Sequence, residues 1–137
     1  MWPFKKKRLV KTIRPTVIDE GIVATFDSQW NVWSFSIGDD EFDVRNEVLD
    51  TALFKHVIDV PRWLKDNEAQ IDAEISKHLE GRVKWDGSKS ICNGIDVSKL
   101  LLKQEIEVSY SGGGSWGDIV ITILLRSGKV ISSEAGD

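Results

Sequence analysis

Hydrophobic and polar positions change period twice along this chain. Between Thr16 and Arg45 apolar residues recur at every second position, the repeat of a strand with one buried face. In "TVIDEGIVATFD", Ile22, Ala24 and Phe26 alternate with Val23 and Thr25, which reads as one strand. "DSQ" is a turn of small polar residues. "WNVWSFSI" then sets Trp33, Phe35 and Ile37 on one face and Val32, Ser34 and Ser36 on the other, so the two segments pair as a hairpin. "GDDE" turns the chain again, and "EFDVR" points Phe42 and Val44 inward and Asp43 and Arg45 outward.

From Asn46 the spacing lengthens to that of a helix. Val48, Leu49, Ala52, Leu53, His56 and Val57 share a stripe, with Asn46 as N-cap. "DVPRWLKDNEAQIDAEISKHLEG" predicts a second, continuous helix. Pro61 suits its first turn, and Leu64, Ile71, Ile75 and Leu79 line one face. Lys77 and His78 suit its negative end, and Gly81 follows it. Asp66, Glu68, Asp72 and Glu74 make its other faces acidic. Beyond it lie two turn pairs, Asp86-Gly87 and Asn93-Gly94. They leave room for a short strand at Arg82–Trp85 or at Lys89–Cys92, and for a helical turn in "DVSKLL".

The period returns to two in the last third. Ile106, Val108 and Tyr110 alternate with Glu105, Glu107 and Ser109, so one face of that strand is wet. "DIVITILL" is apolar on both faces, which predicts a central strand covered on both sides. "RSGK" turns the chain and Val130–Ser133 pairs back. The order strands, helices, strands predicts an α+β fold. Its mostly antiparallel sheet has about five to six strands, with the two helices packed on one face. Residues 1–14 form a basic tail or first-strand lead-in, and 15–137 a single domain of ordinary size.

The triple glycine Gly112–Gly114 resembles a phosphate loop only superficially. No Lys-Ser/Thr pair follows it, Asp118 would repel phosphate, and a strand rather than a helix comes next. It reads instead as a hairpin loop, with Trp116 either folded back on the sheet or standing out as a binding anchor. Asp39, Glu41 and Asp43 have the alternation of a calcium loop, but Val44 and Asp50 stand where its glycine and glutamate belong. No metal or cofactor is expected. His56 reads as a core-edge histidine and His78 as a helix-end cation. Cys92 has no base near it in sequence, and it is the only cysteine, so no intrachain disulfide forms. No catalytic set assembles and no enzyme is expected; the remaining alternative is a small hydrolase, which needs a pocket joining His56 or His78 to two carboxylates.

Charge changes the picture most. With 41% apolar and 29% charged residues the chain is globular rather than disordered. Its net charge of −4 hides a division. Residues 1–14 carry six basic side chains and no acid, and the remainder carries 22 acidic side chains. An acidic body repels nucleic acid and favours a basic protein partner. Asp39, Asp40, Glu41, Asp43 and Trp116 are the candidate partner contacts. Trp2, Phe4, Lys5, Lys6, Lys7 and Arg8 form an alternative contact, to a membrane surface or to nucleic acid. The basic start lacks the apolar core of a secretory signal, and no run reaches the roughly 18 residues of a membrane span, so a cytoplasmic location is expected.

The run "SWGDIVITILLRSGKVISSEAGD" resembles the ends of small bacterial domains of unknown function, some of them similar to immunity proteins encoded beside secreted toxins. The likeness rests on Trp116-Gly117-Asp118, Gly128 and Gly136-Asp137, and it carries no catalytic residue across. It implies a non-enzymatic protein that neutralises a basic toxin by charge complementarity.

Overall fold

Two four-stranded meanders stand side by side in one sheet. A computed structural model describes residues 16–19, 21–46, 48–83 and 90–136. The expected tail contacts (Trp2, Phe4, Lys5, Lys6, Lys7 and Arg8) and the Asp86-Gly87 turn lie outside these residues. The first meander holds β1 (Thr16–Asp19), β2 (Ile22–Asp27), β3 (Val32–Ile37) and β4 (Asp40–Val44). The second holds β5 (Ile91–Asp96), β6 (Glu105–Ser111), β7 (Val120–Arg126) and β8 (Lys129–Gly136). Strand order in the sheet is strand order in the chain. Every pairing is antiparallel except β4 with β5, which is parallel through Phe42↔Ile95 and Asp43↔Asp96.

The α+β class and the mostly antiparallel sheet agree with expectation, but the sheet has eight strands rather than five or six. One added strand comes from "TVIDEGIVATFD", which is a hairpin turned at Gly21 (φ 76°) rather than one strand. Another is β5, which runs through the expected Asn93-Gly94 turn. There the ladder slips by one residue between Cys92 and Gly94, so the Asn-Gly pair makes a bulge.

The crossover from β4 to β5 carries the helices, and they are more broken than expected. A 3₁₀ turn (Thr51–Leu53) leads into α1 (Phe54–Val57), α2 (Val60–Asp66) and α3 (Glu68–Leu79), and α4 (Leu100–Lys103) follows β5. Asp50, not Asn46, caps the start, its carboxylate accepting from the Ala52 N–H at 2.9 Å. Val48 and His56 are exposed, so the predicted stripe does not form. The long helix breaks at Asn67. Its side-chain amide donates to the Trp63 and Gly128 carbonyls, each at 2.7 Å. The backbone bonds from the Asn67 N–H to Trp63 and from the Ile71 N–H to Asn67 persist, and the Gly128 bond ties the break to the β7–β8 turn. A Cβ at Gly128 would lie 3.1 Å from the Trp63 ring, so this approach is tight.

The helices cover one face of the sheet. Ile22, Ala24, Trp33, Phe35, Phe42 and Val44 line the core from the first meander. Ile95, Ile106, Val108, Ile121, Ile123 and Leu125 line it from the second. Phe54 of α1 meets Phe35 edge-on at 5.0 Å, while α3 lies against β7 and β8 through Ile71, Ile75 and Leu79. The strand "DIVITILL" is not central: β7 is next to the edge, and Val120, Thr122 and Leu124 on its far face are only half-buried. No helix among the described residues is long and apolar enough to cross a membrane.

The triple glycine is a loop between β6 and β7, as expected. Trp116 folds back and is 2% exposed. Its indole packs so closely on Gly112 that a Cβ there would overlap the ring. Trp116 therefore belongs to the core and offers no surface to a partner.

Candidate functional site

Among the described residues no element packs on the face of the sheet away from the helices, and its side chains follow from the strand period. Each core residue has a neighbour in sequence that points the other way. On this open face the pairings chain into one lateral row: Thr16, Thr25, Ser34, Asp43, Asp96, Glu107, Leu124 and Ser132. A neighbouring row passes through Gly94, Ser109, Thr122 and Glu134. Glu41 lies beside it, opposite Ser36. The floor is therefore built of serine and threonine, with carboxylates standing on it.

Two shallow depressions result. One, of about 510 Å³, is lined by Val23, Thr25, Ser34, Ser36, Glu41 and Asp43 among others. The next, of about 360 Å³, gathers Asp43, Asp96, Glu107 and Glu134 around the Arg45 guanidinium. Arg45 lies 3.5 Å from Asp96 and 4.0 Å from Asp43. Ser34 donates to Asp43 at 3.2 Å. Ser98 donates to Asp96 from its hydroxyl at 2.6 Å and from its N–H at 2.9 Å, and accepts the Arg45 N–H at 2.7 Å. These bonds stitch the parallel seam and fix Asp43 and Asp96 in place. Glu107 and Glu134 stand on the wet side with acids in excess. Exposed Ile18 (71%) and Val23 (52%) extend the face toward the β1 edge with apolar surface.

The expected contacts divide across this geometry. Glu41 and Asp43 lie on the open face. Asp40 lies two residues before Phe42 and shares its face, so it points to the helix side of the rim, and Asp39 sits in the β3–β4 turn. Asp39, Asp40 and Glu41 share a rim depression of about 270 Å³ with Cys92 and Gly94. Asp96, Glu107 and Glu134 join the site although sequence reasoning did not group them. Their signal was visible only as wet positions between core residues. Lateral neighbours need the strand order, which turns on the β4–β5 seam.

The reactive side chains are otherwise engaged. Cys92 is exposed, but desolvation of its sulfur raises the thiol's pKa, and Asp40 raises it further by repulsion. The thiolate is thus suppressed. Ser133 of β8 sits between Glu74 and His78 of α3. It donates to Glu74, so His78 Nε2, 2.8 Å from its oxygen, must be the donor. A nucleophilic serine needs the imidazole as acceptor. This chain of bonds runs the other way and fastens α3 to the edge strand. The Ser133 bond holds the Glu74 carboxyl below its usual range, and Lys77 assists. Glu105 is likewise lowered, chiefly by hydrogen bonds from Arg126 (Nε at 2.8 Å). Among the described residues, no three His, Cys, Asp or Glu side chains are gathered to hold a metal ion.

Comparison of the chain with protein-family models, with curated proteins and with solved structures returns no match.

Proposed function

We propose that this protein acts by binding, and that the open face of its sheet receives a basic protein partner. The observation that carries the reading is the concentration of Asp43, Asp96, Glu107 and Glu134 around the Arg45 guanidinium, on a face that no other described element covers. Charge in excess on a shallow face speeds encounter with an oppositely charged partner and rejects like-charged ones. Exposed Ile18 and Val23 give the same partner an apolar foothold at the β1 edge. The partner class that fits best is a basic toxin domain met in the bacterial cytoplasm, with this protein as its immunity factor. The acid-rich body and the likeness of residues 115–137 to immunity-type domains support that assignment.

The test immobilises the full chain and the variant Glu107→Lys/Glu134→Lys, both substitutions at wet positions. Proteins captured from the source cell are identified by mass spectrometry. The expected result is a basic protein bound at least about tenfold more tightly by the native chain, the difference vanishing at high salt. Equal capture by both chains, or capture of acidic proteins alone, rejects the reading.

A further inference from the structure

The one Asn-Gly pair of the chain sits where the sheet has a residue to spare. Cys92 pairs with Tyr110 and Gly94 with Ser109, so Asn93 is the extra residue of the bulge and has no opposite number in the β6 ladder. It is exposed, and it lines the acidic depression together with Asp43, Arg45, Asp96, Glu107 and Glu134. Its immediate contacts favour attack on its own side chain. The Ser111 hydroxyl donates to Asn93 Oδ1 at 3.0 Å. A donor there stabilises the charge that develops on this oxygen when a nucleophile adds to Cγ. The Gly94 N–H is given to the Cys92 sulfur, a weak acceptor, so freeing that nitrogen costs little. Gly94 also has no Cβ to crowd a ring closing between its nitrogen and Asn93 Cγ.

We propose that Asn93 is a self-modification site, at which the Gly94 backbone nitrogen displaces the side-chain amide and a carboxylate is left in the acidic depression. Hydroxide from the solvent removes the Gly94 amide proton, and the nitrogen lone pair forms a bond to Asn93 Cγ. The bond from Cγ to the side-chain nitrogen breaks, and that nitrogen takes a proton from water and leaves as ammonia. The cyclic imide then adds one water. Opening at the side-chain carbonyl gives isoaspartate or aspartate according to which of the two ring C–N bonds breaks, and the released proton goes to solvent. Nothing is oxidised or reduced.

The fold accepts the product as it accepts the amide. Ser111 is the donor to the Asn93 side-chain oxygen, and a carboxylate oxygen accepts the same bond. Each event adds one negative charge to the depression that holds Asp43, Asp96, Glu107 and Glu134. The face therefore grows more acidic as the molecule ages, and older molecules hold a basic partner more tightly. That consequence rests on the proposed function; the modification itself does not.

The full chain, held folded at neutral pH, is sampled over time by peptide mapping with isoaspartate-specific methylation. Asn93 should convert to a mixture of aspartate and isoaspartate while Asn31, Asn46 and Asn67, which precede Val or Glu, remain amides. Gly94→Ala tests the route. A Cβ there meets only Asp43 Oδ2 within 4 Å, at 3.5 Å, so the fold has room for it. The added methyl crowds the closing ring, and conversion should fall at least about tenfold. Asn93→Gln, which must close a larger ring, should abolish it. The proposal is overturned if Asn93 stays intact in the folded chain while the same chain in urea converts, if Gly94→Ala converts as fast as the native chain, or if aspartate forms with no isoaspartate. In partner capture, Asn93→Asp should outperform the native chain. Equal capture with conversion observed removes the consequence for binding and leaves the modification standing.

Discussion

The β1–β4 meander and the β5–β8 meander face the same helical layer but fill the space differently. Aromatic rings fill the first: Phe26 against Trp33 at 5.2 Å, Phe35 against Phe42 at 5.3 Å, and Phe54 closing on Phe35. Branched aliphatics line most of the second, with Ile106, Val108, Ile121, Ile123 and Leu125 buried in or beside the shadow of α3, while its two buried rings, Tyr110 and Trp116, sit toward the β6–β7 loop. The difference tracks the cover. A one-turn helix such as α1 offers one large side chain, so rings must bridge the gap, whereas α3 offers three smaller ones in series. Phe54 is the one ring that the helical layer adds to the first half, beside the smaller Leu53, Val57 and Val60, whereas the second half is closed by three aliphatic side chains in series.

The largest effect should come from removing that ring. Phe54→Ala should cost about 3–5 kcal/mol, and Ile75→Ala about 2–5 kcal/mol. Amide exchange should rise first in β2–β4 for the former and in β7–β8 for the latter. Equal loss in both halves for either variant would mean that the meanders form one cooperative unit. A smaller effect is expected at the seam. Ser98→Ala removes an acceptor for the Arg45 N–H and a donor to Asp96, at about 1–2 kcal/mol. The urea midpoint should fall accordingly, with early exchange at Arg45 and Val97, whose amide bonds to the Asp43 carbonyl at 2.9 Å.

Acid should produce the smallest contrast. The lowered carboxyls Glu74 and Glu105 both belong to the contacts of the second half. Their folded values lie below the usual 4.5, so the unfolded chain binds more protons as acid is added. The stabilisation is complete above that value and disappears as pH falls through the folded ones. Protection in β6–β8 should therefore drop before protection in β2–β4, and Glu74→Gln with Glu105→Gln should remove the difference.

Sequence pattern revealed whatever depended on neighbours in the chain. The β2–β3 hairpin and the wet face of β6 follow from alternation alone, and so do the inward positions of Phe42 and Val44. What it concealed depended on contacts between distant segments. Asn67 looks like an ordinary helix residue until its side chain finds Gly128. Asn93-Gly94 looks like a turn until β4 and β6 hold it in a ladder. The site divided along the same line. Asp43 was legible as an outward acid, but its companions Asp96 and Glu107 stand beside it only because the parallel seam sets their register.

That seam also sets the order of assembly. Because each strand pairs with its successor in the chain, the hairpins close over short loops and form rapidly. The 45–90 segment between β4 and β5 is about tenfold longer than the β2–β3 loop, and closing it costs about 2 kcal/mol more in chain entropy. It returns only two paired positions, Phe42↔Ile95 and Asp43↔Asp96. The folding barrier is accordingly concentrated at the junction, and a chain leaving the ribosome can complete β1–β4 before β5 has been made.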